Sequence, residues 1–142
     1  MALRLYQSKG CSQCIPYYDI TNINGILHKD IKIADGCLTL PKPMIQGSNM
    51  MCTEIPDNSL LNLQYKRGEM IIVDLDAKPE TCSVALLYDT AEKKMIIRKY
   101  MCEGPMVTLL SDGHGDNSPI YTDITDDNYI LIGPVIRSTR DC

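Results

Sequence analysis

The chain has 142 residues, of which 44% are hydrophobic and 23% charged, a globular composition with enough apolar material for one core. Fourteen basic residues against eighteen acidic ones leave a net charge of −4, and no apolar run reaches the roughly 20 residues of a membrane-spanning helix. A membrane-embedded helical protein is thereby disfavoured, as is a free-standing nucleic-acid binder, which masses Lys and Arg on one face.

The densest basic groups, Lys93-Lys94 and Arg98-Lys99, read as solvated turns and strand edges. Residues 1–10 lack the continuous apolar core of a signal peptide, so a cytoplasmic protein is expected. Seven cysteines (Cys11, Cys14, Cys37, Cys52, Cys82, Cys102 and Cys142) are odd in number and irregular in spacing, which points to reduced thiols rather than a secreted disulfide framework. Cys11 and Cys14 have metal-ligand spacing, but a zinc site needs about four ligands and no second such pair follows. His28 and Cys37 could complete one only by an accident of folding. No metal and no cofactor are expected.

In chain order, residues 1–14 read as a flexible tail and 15–142 as one domain. The first strand is expected at 15–20 (IPYYDI), and a short one at 37–40 ends at Pro41. Residues 58–63, after a proline and an aspartate that could cap it, carry the best helix signal. Strands are then expected at 69–76, 82–88, 94–101, 106–110 and 129–136, each rich in Ile, Val, Leu and Tyr. Turn chemistry lies between them at 77–80, 103–105 and 111–119. This pattern predicts a mostly β domain with antiparallel neighbours and few short helices. No segment has the two successive amphipathic helices of a helix-turn-helix. With no Trp and no Phe, the core must rely on aliphatic residues, Met and Tyr.

One stretch carries more. Residues 55–60 (IPDNSL), followed by 65–74 (YKRGEMIIVD), resemble the Gly-Asp-Ser-Met signature and acidic glycine turn of the self-cleaving C-terminal domains of LexA and phage repressors. Ser59 and Gly68 stand nine residues apart, as the nucleophile and the turn glycine do there. Asp57 replaces the first glycine of the signature and Leu60 its methionine. Residues 74–79 resemble the family's next connection, 84–88 its following core strand, and 95–100 (MIIRKY) the strand with its catalytic lysine. Leu109, Leu110, Asn117 and Ile120 are similar to a later stretch, and 132–136 (IGPVI) to its closing strand. Asn24-Gly25, after 15–20, resembles the region ending in a cleavable Ala-Gly bond. Gly47-Ser48-Asn49-Met50 is a second possible match to the signature, with Asn49 at the nucleophile position; Ser59 needs no inserted residues and is preferred.

The resemblance implies a LexA-like, signal-peptidase-like, barrel-type β domain of bacterial or phage origin, with a Ser-Lys dyad. In such a dyad an apolar pocket strips the lysine of its proton so that it can deprotonate the serine. Here Arg98 stands at the lysine position, and a guanidinium does not give up its proton. Lys99 is adjacent, but neighbouring strand residues face opposite ways: if Arg98 faces Ser59 with Ile96 and Tyr100, Lys99 faces away with Met95 and Ile97. Asn24 is bulkier than the alanine it replaces, and Asn-Gly is also a common tight turn. The expected function is therefore a regulatory and oligomerisation domain working through a homodimer or a repressor-type protein partner, with no direct nucleic-acid contact and no membrane. The alternative is an active autopeptidase cutting at Asn24-Gly25, with Ser59 and Lys99. His114, in a glycine-flanked polar loop, is assigned no role.

Overall fold

The computed structural model describes residues 12–41, 49–112, 119–123 and 127–138. Strands are its main regular element: β1 (Ser12–Tyr17), β2 (Gly36–Pro41), β3 (Met50–Glu54), β4 (Met70–Asp74), β5 (Ser83–Asp89), β6 (Lys94–Glu103), β7 (Met106–Leu110), β8 (Ile120–Asp123) and β9 (Tyr129–Ser138). Among the described residues, one short helix, α1 (Ile23–His28), and two 3-10 turns, Ile31–Ile33 and Leu61–Leu63, complete the regular elements. The expected mostly β fold with few short helices is what the chain adopts. No helix among the described residues is long and apolar enough to cross a membrane.

The strands form a single mixed sheet in the order β2-β1-β3-β4-β9-β5-β6-β7-β8. All neighbours are antiparallel except β1 and β3, which meet in parallel at Tyr17 and Cys52. β9 joins the two halves. Its first part pairs with β5 from Tyr129 to Pro134, and its last part with β4 from Val135 to Ser138. Register shifts at Ile72/Val73 and Leu86/Leu87 mark where the strands on either side accommodate this change.

Alternation along these strands divides the buried side chains. On one face Leu86, Met95 and Ile97 pack with Met51, Ile71 and Val73, and this layer is closed by Tyr18, Ile26, Ile55 and Leu60. On the other, Ala85, Leu87, Ile96, Tyr100, Val107 and Leu109 form a second cluster. Ile15, Met50, Cys52 and Ile72 make a third, beneath the β1–β2 hairpin. Aliphatic residues, Met and Tyr do the work that Phe and Trp do elsewhere.

Several expectations shift. β1 begins at Ser12, so residues 12–14 of the expected tail are strand, while 1–11 lie outside the described residues. The helix expected over 58–63 is only a 3-10 turn at Leu61–Leu63. β3, β8 and α1 had not been anticipated. Asn24 and Gly25, readable as a tight turn, lie inside α1, where Asn22 caps the helix by accepting from Gly25 N–H.

Candidate functional site

The segment between β3 and β4 carries Ser59. Its ends are tied by a backbone pair, Ile55 N–H to Glu69 C=O at 2.7 Å and Gly68 N–H to Ile55 C=O at 3.0 Å. Gly68 sits at φ 93°, a left-handed conformation that glycine takes without penalty, so the turn at this place needs that residue. Within the segment Asp57 Oδ1 accepts from Ser59 N–H at 2.9 Å, and Asn58 Oδ1 accepts from Arg67 N–H at 3.0 Å. The first is a local Asx-type bond and the second crosses the segment, and together they give the loop a defined shape without a strand partner. Leu60, 1% exposed, anchors the segment in the first core layer.

The segment docks where β6 loses its neighbour. The β6–β7 ladder ends at Lys99 and Leu110, leaving the earlier part of β6 without a strand on that side among the described residues. Ser59 C=O accepts from Asp112 N–H at 2.7 Å, and Asn62 Nδ2 donates to the Asp112 carbonyl. Arg98 Nη1 donates to the Ile97 carbonyl at 2.7 Å and to Asp57 Oδ2 at 3.0 Å, both residues of the ion pair being partly buried. Ser59 is thus held by its main chain next to an ion pair that crosses from its own loop to β6.

The serine segment meets the strand bearing Arg98 and Lys99 through Asp57, two residues before Ser59, and the side chains are arranged differently from expectation. Arg98 lies on the strand face of Ile96 and Tyr100, the face of the second cluster, and reaches Asp57 by curling back past the Ile97 carbonyl. Lys99 shares the face of Met95 and Ile97, which is the layer closed by Leu60. The residue expected to point away from the serine segment therefore stands on the face that packs against it. Asn24 and Gly25 belong to α1, whose next residue Ile26 is buried in that same layer. Asn49 precedes β3, at the other end of that strand from Ser59, and its Nδ2 donates to Asp76 Oδ1 at 3.2 Å. Gly47, Ser48, His114 and Asn117 lie outside the described residues.

Asp57 and Asp112 are the site residues that sequence reasoning missed. Asp57 was noted only as a replacement for a glycine; its spacing two residues before Ser59 is the Asx-turn signal that could have marked it. Asp112 buries Oδ1 with no partner among the described residues, beside the serine segment. No signal in the chain order pointed to it, because its place depends on where β7 ends.

The cysteines also depart from expectation. Cys14 and Cys37 are joined as a disulfide across the β1–β2 hairpin, their Cα atoms 5.8 Å apart, within the usual span of such a bond. Uniformly reduced thiols are thus corrected at this pair. Cys52, Cys82 and Cys102 are free thiols, and burial pushes the Cys52 thiol up to about 12. His28 is exposed at the end of α1, Cys11 lies outside the described residues, and no group of three or more metal-ligating side chains gathers among those described. On the neighbouring edge, burial and the Glu54 carboxylate, which accepts from Tyr17 Oη at 2.9 Å, raise Tyr17 to about 12. Compared with known proteins, the chain matches no family model and no curated protein.

Proposed function

We propose that this chain is a regulatory and oligomerisation domain of the repressor type, acting in transcription control through protein–protein contacts and without peptidase activity. One observation carries the second half of that reading: the basic group hydrogen-bonded to Asp57, two residues before Ser59, is Arg98. A guanidinium stays protonated and cannot serve as the base of a Ser-Lys dyad. The first half draws support from the resemblance to LexA and phage-repressor domains and from exposed apolar side chains. Tyr121 is 68% exposed on the edge strand β8, and Ile130, Leu131 and Ile136 are exposed on β9. An edge strand with exposed backbone, such as β8, suits pairing with a second copy or with another repressor chain. A cytoplasmic, bacterial or phage setting belongs to the same reading. Sedimentation and light scattering test it: a concentration-dependent dimer, or a stable complex with a repressor chain, is expected. A strict monomer at high concentration that binds no such chain overturns it.

The enzyme reading keeps one point in its favour: Lys99 lies on the face that packs against Leu60, next to Ser59. Against it, cutting the Asn24–Gly25 bond would open α1 in its first turn, where Gly25 N–H is held by Asn22 Oδ1 at 3.1 Å. Incubation at alkaline pH followed by mass spectrometry separates the two readings. An intact chain is the expected result. A new boundary after Asn24 that Ser59→Ala abolishes would establish the peptidase instead.

A further inference from the structure

We infer that the concavity between α1 and the start of β6 is a binding site for a small phosphate-bearing ligand with an apolar body. It is a separate place from the surface invoked above and does not depend on that reading.

The cavity holds about 280 Å³ and combines two kinds of wall. Ile20, Ile23, Pro56 and Met95 line it with apolar surface, and Arg67, Lys93 and Lys94 bring three cations to it. None of the three cations has an ion pair among the described residues, where Arg98–Asp57 is the salt bridge found. In a chain of net charge −4, carboxylates are plentiful, yet none lines this cavity among the described residues, and those nearest along the chain bond locally or face solvent. Asp19 accepts from the Thr21 hydroxyl at 2.7 Å and from Thr21 N–H at 3.0 Å. Asp89, opposite Lys94 in the ladder, accepts from Ala91 and Glu92 N–H at 3.1 Å each. Glu92, in the same turn as Lys93, is exposed.

Three like charges around one hollow repel each other, and an anion seated among them removes that cost. A phosphate offers two negative charges and several acceptor oxygens, enough for an arginine fork and two ammonium groups together, whereas a carboxylate offers one charge. The backbone fixes where the three basic side chains start. Arg67 N–H is tied to Asn58 Oδ1, Lys93 is held in a left-handed conformation at φ 55°, and Lys94 opens β6. The apolar walls add a requirement for a ring or chain beyond the phosphate, because burying it there removes hydrophobic surface of both partners from water.

Phenyl phosphate is a suitable probe, with inorganic phosphate and benzoate as controls, titrated into the isotope-labelled full chain and followed by amide chemical shifts. Saturable shifts confined to Thr21, Ile23, Arg67, Lys94 and Met95 are expected, with phenyl phosphate binding tighter than either control and losing affinity as salt is added. The double variant Lys93→Gln/Lys94→Gln should bind about tenfold more weakly, and Arg67→Gln about fivefold, with unchanged circular dichroism. All three side chains are exposed, so the variants are not expected to disturb folding. Shifts elsewhere or without saturation, equal affinity for benzoate, or undiminished binding by both variants would each overturn the inference.

Discussion

Gly133 illustrates how a single residue can decide a fold's connectivity. A Cβ at that position would lie 2.1 Å from the Asp74 carbonyl oxygen and 3.1 Å from Val73 Cγ1, in the place where β9 passes from β5 to β4. The obstacle is backbone, which cannot swing aside as a flexible side chain can. Gly133→Ala is expected to cost about 3 kcal/mol, through separation of β9 from β4, and a shifted denaturation midpoint would register it. An unchanged midpoint would mean that β9 can pass Asp74 with a side chain in place. Gly25 is a parallel case, since a Cβ there would meet Tyr18 Cδ1 at 2.7 Å. The sequence showed both glycines, but read one as a turn and the other as part of a closing strand. Neither close approach is visible until distant segments are brought together.

Among the elements, the β1–β2 hairpin is the least supported by its neighbours. β2 is an end of the sheet, and β1 meets β3 at only one ladder position. The Cys14–Cys37 disulfide closes a separation of 23 residues across this hairpin. Restricting a loop of that size in the unfolded chain is worth about 3 kcal/mol in the chain-entropy account. Cys37→Ser, or added reductant, should therefore lower the thermal midpoint by several degrees, whereas reductant should leave the midpoint of Cys37→Ser itself unmoved. Equal midpoints for the native chain with and without reductant would show that the bond does not contribute. The elements that escaped sequence reading have physical reasons for doing so. β3 reads Met-Met-Cys-Thr-Glu and is buried on both faces, so it lacks both β-branched enrichment and alternation. β8 has four residues, and α1 has six, with a glycine at its third position. The one available sign of α1 was Asn22, a good cap three residues before Gly25.

At the scale of the whole molecule, stability should fall in alkaline solution. Burial first, and for Tyr17 also the Glu54 carboxylate, raise both Tyr17 and Cys52 to about 12. In the unfolded chain these groups lose their protons nearer 10 and 9, so the folded state binds more protons in that window. Their contribution is complete below about 9 and is lost as pH rises toward 12. Denaturant midpoints across that interval should fall steadily. In the same range Cys82 and Cys102, both exposed, should take up an alkylating agent well before buried Cys52. A flat stability profile, or simultaneous labelling of all three thiols, would contradict these placements.

What the sequence by itself determined is the local part: the strand character of β4, β5, β6, β7 and β9, the turns at 77–80 and 103–105, and a core without Phe or Trp; most of the turn expected at 111–119 lies outside the described residues. These follow from runs of Ile, Val, Leu and Tyr bounded by turn residues, signals that act over a few residues. The expectation that residue 59 faces the 98–99 strand came from the resemblance to repressor domains and not from the local pattern of residues. Only the tertiary structure decided that Arg98 is held by Asp57, that Lys99 shares the face of the Leu60 layer, and that Cys14 meets Cys37. Each depends on which strands are neighbours and where a ladder stops, and such long-range closure leaves no mark in the local pattern of residues.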